Sequence, residues 1–142
     1  MFKFRKILAV LFVVGLLLTA CGGQQKVTEV QITVKEFGIE SSITEFQVGV
    51  PYHFVVTNAG TVNHEIMIMP PLTKGQMGMG MDMGTMDKMA LAMISADNLT
   101  PGTTQSFDLT FSDAASTGML EFACHTPGHY EANMKLPITV TK

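Results

Sequence analysis

From residue 27 onward the chain alternates between apolar and polar positions. Val30, Ile32 and Val34 stand between Glu29, Gln31, Thr33 and Lys35. A period of two predicts a strand with one face buried and the other in water. "PYHFVVTNAG" (51–60) repeats the pattern, with Tyr52, Phe54 and Val56 on one face and an Asn58-Ala59-Gly60 turn at its end. Between these runs lies "SSITEFQV" (41–48), where Ile43, Phe46 and Val48 slip out of phase, as at a bulge. "TVNHEIMIM" (61–69) reads as a further strand, and "TTQSFDLTFS" (103–112) follows a Pro101-Gly102 turn. "GMLEFAC" (118–124) and "LPITVT" (136–141) close the series. About seven or eight short strands separated by turn residues predict an all-β Greek-key sandwich with antiparallel pairing. A long helical pattern is missing. The exception lies within 70–99, where Thr85 is placed to cap a short helix carrying Met86, Met89, Met93 and Ile94 at helical spacing.

The first twenty residues do not fit this pattern. A basic head (Lys3, Arg5, Lys6) precedes the apolar run Ile7 to Leu18, which is too short to span a bilayer comfortably but suits an export signal. "Leu18-Thr19-Ala20-Cys21" resembles the lipobox of bacterial lipoproteins, whose Cys becomes the lipidated first residue. The domain organisation expected is therefore a signal (1–20), lipidated Cys21 with a polar tether (21–26), and one sandwich domain (27–142) with an insertion at 70–99. Removing the signal takes 3 of the 9 Lys and Arg and none of the 12 Asp and Glu, so the formal charge moves from -3 to -6. An acidic surface without a basic stripe argues against nucleic acid as a partner. The expected location is extracytoplasmic, attached to a membrane by the lipid, either on the outer face of the cytoplasmic membrane or in the periplasm.

Export also changes how the cysteines are read. Cys21 and Cys124 are the only thiols. With Cys21 lipidated, Cys124 is a lone thiol in an oxidising compartment and needs something to occupy it; a Cys21–Cys124 disulfide is the alternative. Around it, "EFACHTPGHYEANMKLPITV" (121–140) holds Cys124, His129 and Met134 at equal gaps between two strands. Thiolate, imidazole and thioether form a soft to borderline donor set that favours copper over calcium, magnesium or manganese. Met is a poor ligand for zinc, and structural zinc sites use several thiolates. Two imidazoles and a thiolate with a weak axial Met define a blue-copper electron-transfer centre, which requires one more His. His125 adjoins Cys124, so its side chain diverges from the sulfur; His53 lies on the strand face opposite Tyr52, Phe54 and Val56. His64 opens an apolar strand, in phase with Ile66 and Ile68, that can run beside the strand ending at Cys124. It is the candidate chosen.

"Asn63-His64-Glu65", followed far downstream by Cys-x4-His-x4-Met and "Pro127-Gly128-His129", resembles the cupredoxins, single-domain type 1 copper proteins. The resemblance covers 27–142 in strand order. It implies one copper held by His64 and His129 as equatorial imidazoles, Cys124 as thiolate and Met134 as axial thioether. One position departs from it: many cupredoxins carry a small polar residue after the first His, helping to brace the Cys sulfur, and this chain has Glu65.

The segment 67–94 holds nine of the twelve methionines. Met77, Met79, Met81 and Met83 alternate with Gly, Gly and Asp, and soft thioethers in that pattern suit a second, Cu(I) site; an adaptable apolar docking loop is the other reading. Two functions follow. One is a lipid-anchored carrier of single electrons between membrane-associated redox partners. The other is a copper-binding or delivery protein that uses the Met-rich loop to pass Cu(I) to an acceptor. A third, an enzyme, is disfavoured, because four donors around the metal leave no open position for substrate.

Overall fold

A computed structural model describes residues 26–73, 75–76 and 82–142. The signal, Cys21, Met77, Met79 and Met81 lie outside the described residues, as does the side chain of Met83. Among the described residues nine strands form two sheets: β1 (Thr28–Lys35), β2 (Gly38–Ser41), β3 (Glu45–Gln47), β4 (Pro51–Asn58), β5 (Ile66–Met69), β6 (Ala92–Ile94), β7 (Thr104–Thr110), β8 (Ala115–Ala123) and β9 (Lys135–Thr141). One sheet runs β2-β1-β4-β7 and the other β3-β9-β8-β5-β6. The helix α1 (Met83–Met89) lies between β5 and β6.

The alternation seen in the sequence sets which faces meet. Val30, Ile32 and Val34 of β1, with Tyr52, Phe54 and Val56 of β4, turn inward onto Phe46, Phe122, Ile138 and Val140 of the other sheet. Phe46 touches Tyr52, Phe54, Phe111 and Phe122, its ring centroid 5.0–6.1 Å from theirs. Burying each such ring contributes about 2–3 kcal/mol, so this aromatic knot fixes the two sheets face to face.

Pairing direction departs from the expectation. β1 pairs with β4, and β3 with β9, in parallel; the other pairs are antiparallel. After β2 the chain crosses to the opposite sheet as β3 and returns as β4 beside β1, the kind of crossover a parallel pair requires. This also explains "SSITEFQV". The slipped phase is not a bulge but the passage from one sheet to the other between Ser41 and Glu45.

Two further expectations are corrected. The strand expected over 61–69 forms only at Ile66–Met69, so His64 stands in the loop before it. Asn58, fully buried, explains why: its side-chain amide donates to the carbonyls of Val62 and Leu99 (2.8 Å each) and accepts from Gly60 N–H (2.8 Å), satisfying this backbone without a partner strand. The helix is capped by Asp82, whose carboxylate accepts from Thr85 N–H and Oγ1–H (3.1 and 2.8 Å); Thr85 is the residue capped. Met93 and Ile94 belong to β6, not to the helix.

β5 is buried on both sides. Ile66 and Ile68 enter the main core, while Met67 and Met69 form a second cluster with Met86, against which Leu72, Met89 and Met93 pack. The insertion thus caps the outer face of one sheet.

Candidate metal centre

In the antiparallel register of β5 and β8, Met67 faces Ala123. The start of one strand therefore lies at the end of the other, bringing His64, just before β5, beside Cys124, just after β8. Cys124 is followed by a tight loop: His129 N–H donates to Thr126 C=O (2.9 Å), Asn133 N–H to Tyr130 C=O (2.9 Å) and Met134 N–H to His129 C=O (3.0 Å). Gly128 at φ 85° and Asn133 at φ 68° take the left-handed conformations that these turns need. Cys124 N–H closes the loop on Met134 C=O at 3.1 Å. The loop thus folds back on itself so that Met134, with no exposed surface, re-enters the core beside Cys124.

Three donor atoms converge. Cys124 Sγ lies 3.4 Å from His129 Nδ1 and 4.0 Å from His64 Nδ1, and the two imidazole nitrogens are 3.2 Å apart. This is the one such donor cluster among the described residues. Two neutral nitrogen lone pairs this close repel unless a proton or a cation lies between them. Burial, and then the neighbouring His129, hold His64 below its ordinary 6.5, in the neutral form that binds metals. Burial likewise pushes the Cys124 thiol above its ordinary 9.0; a metal ion lets a buried sulfur lose that proton without standing as a bare anion. Nitrogen, nitrogen and sulfur at this separation fit one soft to borderline cation, with the Met134 thioether as a weaker fourth donor.

Auracyanins are among the solved structures that share this architecture. A dithionite-reduced auracyanin from the photosynthetic bacterium Roseiflexus castenholzii superposes with a TM-score of 0.59 at 21% identity, over 81% of this chain and 98% of that one. Auracyanin B gives 0.58 at 18% identity, over 82% and 88%. Auracyanin A, described as a "blue" copper protein from Chloroflexus aurantiacus, gives 0.54 at 18% identity, over 81% and 99%. The fold is cupredoxin-like. No protein-family model and no curated protein sequence matches the chain.

Within this cupredoxin-like frame, Glu65 takes a role that its side chain did not suggest. Its backbone N–H points at Cys124 Sγ (3.5 Å), so the sulfur is braced by the main chain whatever the side chain is. The buried carboxylate instead accepts the N–H of His125 at 2.7 Å, tying the two ligand-bearing segments together. Thr126 Oγ1, 3.3 Å from Sγ, is a second brace. The other histidines are placed as the pattern indicates. His125 turns away from the sulfur and stacks on Tyr130 at 4.4 Å. His53 faces outward and pairs with Asp108 at 2.6 Å.

Several contributors carried no sequence signal. Tyr130 hydroxyl donates to the buried Glu121 carboxylate (2.5 Å) and accepts from Leu72 N–H (3.2 Å), joining the loop to the root of the insertion. Phe37, at φ 59°, sets its ring edge-on to His129 at 5.7 Å. Among the described residues Cys124 is a free, buried thiol; Cys21, its partner in the disulfide alternative, lies outside them.

Proposed function

We propose that this chain is a blue copper protein that carries single electrons; His64, Cys124 and His129 would hold the copper, with Met134 as a weaker fourth donor. The observation that carries this reading is the convergence of His64 Nδ1, His129 Nδ1 and Cys124 Sγ within hydrogen-bonding distances of one another at one end of a rigid sandwich. Copper would supply the one-electron couple between Cu(I) and Cu(II). The protein contributes a donor set that does not rearrange. His64 is fixed by its N–H to Leu99 C=O (3.2 Å) and by the Asn58 bonds, and the other three ligands lie on one self-bonded loop. Ligands held in place between the two oxidation states keep the reorganisation accompanying electron transfer small. Four donors fill the coordination sphere, and this favours a carrier over an enzyme.

Lipid on Cys21 would hold this carrier at the outer face of a membrane, where its redox partners are membrane-associated proteins. The support is the lipobox-like "LTAC" after a short apolar run. The copper-delivery reading draws its support from the sequence: Met77, Met79, Met81 and Met83 alternate with Gly, Gly and Asp, and soft thioethers in that pattern suit Cu(I), whereas Met67, Met69, Met86, Met89 and Met93 are taken up by the second apolar cluster.

Loading the protein with copper(II) and recording absorption and electron paramagnetic resonance tests the site. An intense visible thiolate-to-copper band with a narrow copper hyperfine splitting is expected. A folded, copper-loaded protein without that band has no blue site.

A further inference from the structure

A metal-ligating imidazole uses one ring nitrogen and leaves the other as an N–H that needs an acceptor; that acceptor fixes the ring and tunes the metal. In His64 the donor facing Cys124 and His129 is Nδ1, so Nε2 carries the hydrogen. Nε2 is fully buried and has no hydrogen-bond partner. An unpaired buried N–H of this kind is costly.

The ground beside it is shaped by the absence of a side chain. A Cβ placed on Gly60 would lie 2.9 Å from His64 Nε2, 2.9 Å from Glu36 Oε1 and 3.0 Å from Glu36 Oε2. The imidazole edge and the carboxylate thus border one gap, which only glycine leaves open. Glu36 sits in the two-residue connection between β1 and β2, directly before Phe37, whose ring edges onto His129. It is anchored there, since its Oε1 accepts both the backbone N–H of Thr61 and the Thr61 hydroxyl (2.8 Å for the latter). Those bonds hold its carboxyl at about 2, so it is ionised at neutral pH. Its charge and the His64 ring already interact, each favouring the charged form of the other.

We propose that Glu36 is the outer partner of His64: its carboxylate, lodged in the gap at Gly60, accepts the Nε2–H of the copper-bound imidazole and thereby orients the ring and sets part of the site's redox balance. This rests on the blue-copper reading. Glu36 is a positioning residue, acting through His64 and not on the metal. An anion on the far side of the ring makes the imidazole a stronger donor and stabilises Cu(II) over Cu(I). It therefore holds the reduction potential down.

The test compares copper-loaded wild type, Glu36→Gln and Gly60→Ala. The wild-type absorption band comes first: without it, the blue-copper reading fails and the comparison is not made. In a blue wild type, three quantities are measured: the reduction potential, the exchange rate of the His64 Nε2–H by proton–nitrogen NMR of the Cu(I) form, and thermal stability. Glu36→Gln keeps an oxygen acceptor for Thr61 and removes the charge. The potential should rise and Nε2–H exchange should quicken, with the melting temperature little changed. Gly60→Ala places a methyl 2.9 Å from both Glu36 Oε1 and His64 Nε2, displacing the flexible carboxylate from the gap while crowding the ring, and should shift both quantities in the same direction. Loss of Cu(II) affinity of about 10-fold or more is expected in both, the usual consequence of removing such a partner. An unchanged potential and unchanged exchange in a blue Glu36→Gln protein would overturn the proposal. A raised potential with unaltered exchange would also overturn it, because only a through-space charge would then remain.

Discussion

At the scale of single residues, the buried polar groups separate into those that serve the metal and those that serve the loop holding it. Glu121 belongs to the second kind. Burial raises its carboxyl above the ordinary 4.5, by more than the Tyr130 hydroxyl and the Lys135 cation lower it. The folded chain therefore keeps this proton to higher pH than the unfolded chain does. Its contribution makes stability fall as pH rises from 4.5 through the raised value. Glu121→Gln retains an oxygen for the Tyr130 hydroxyl and removes the charge. In urea unfolding of the metal-free protein, the variant should be the more stable at neutral pH and should converge with wild type in mild acid. A parallel pH dependence of the two proteins would show that the raised carboxyl does not matter to stability. The Glu65 position teaches a related lesson. A side chain that departs from the cupredoxin pattern is tolerated because the brace on Cys124 comes from the backbone N–H.

At the scale of elements, the loop between β4 and β5 depends on one side chain. Asn58 makes three hydrogen bonds to backbone that has no strand partner, and His64 hangs from the same loop. Replacing it with Ala removes one of the two bonds to the Leu99 carbonyl and the side-chain partners of the Val62 carbonyl and Gly60 N–H, and should cost about 2–4 kcal/mol. Copper affinity should fall with it, since His64 loses its fixed position. Calorimetry of the metal-free variant and copper competition with a chelator would check both. Full affinity in a destabilised variant would mean that other contacts place His64. The sequence showed a turn at Asn58-Ala59-Gly60 but not this role. The bonds from Asn58 to Leu99 join residues 41 positions apart, and local periodicity carries no such information. The same limit explains why local spacing points to Thr85 as the cap and to Met93 as helical. Both sit at permissible spacings, and only the packing of Met67, Met69 and Met86 decides where the helix ends and β6 begins.

At the scale of the whole molecule, the described part of the insertion packs onto the sandwich. α1 and its neighbours cover the outer face of the sheet carrying Cys124, and Tyr130 joins the ligand loop to Leu72 at the insertion's root. With Met67, Met69 and Met86 buried in that cluster, the methionines proposed for Cu(I) capture are the alternating Met77, Met79, Met81 and Met83. Changing all four to Leu spares the Asp82 cap and most of the apolar bulk. If they bind copper, Cu(I) taken up per chain should drop to the single ion of the histidine–cysteine site; an unchanged count removes them as ligands.

The sequence by itself determined the class of fold and the donor set. Alternation reports which face of each strand is buried, and soft ligands at Cys124, His129 and Met134 are chemically informative wherever they fall. His64 was reachable because so few histidines remained. Tertiary structure alone decided which strands pair in parallel, why the phase slips between β2 and β3, and what surrounds the ligands. Direction of pairing and second partners such as Glu36, Asn58 and Glu121 depend on segments far apart in the chain being brought into contact. No local pattern of apolar and polar residues encodes that contact.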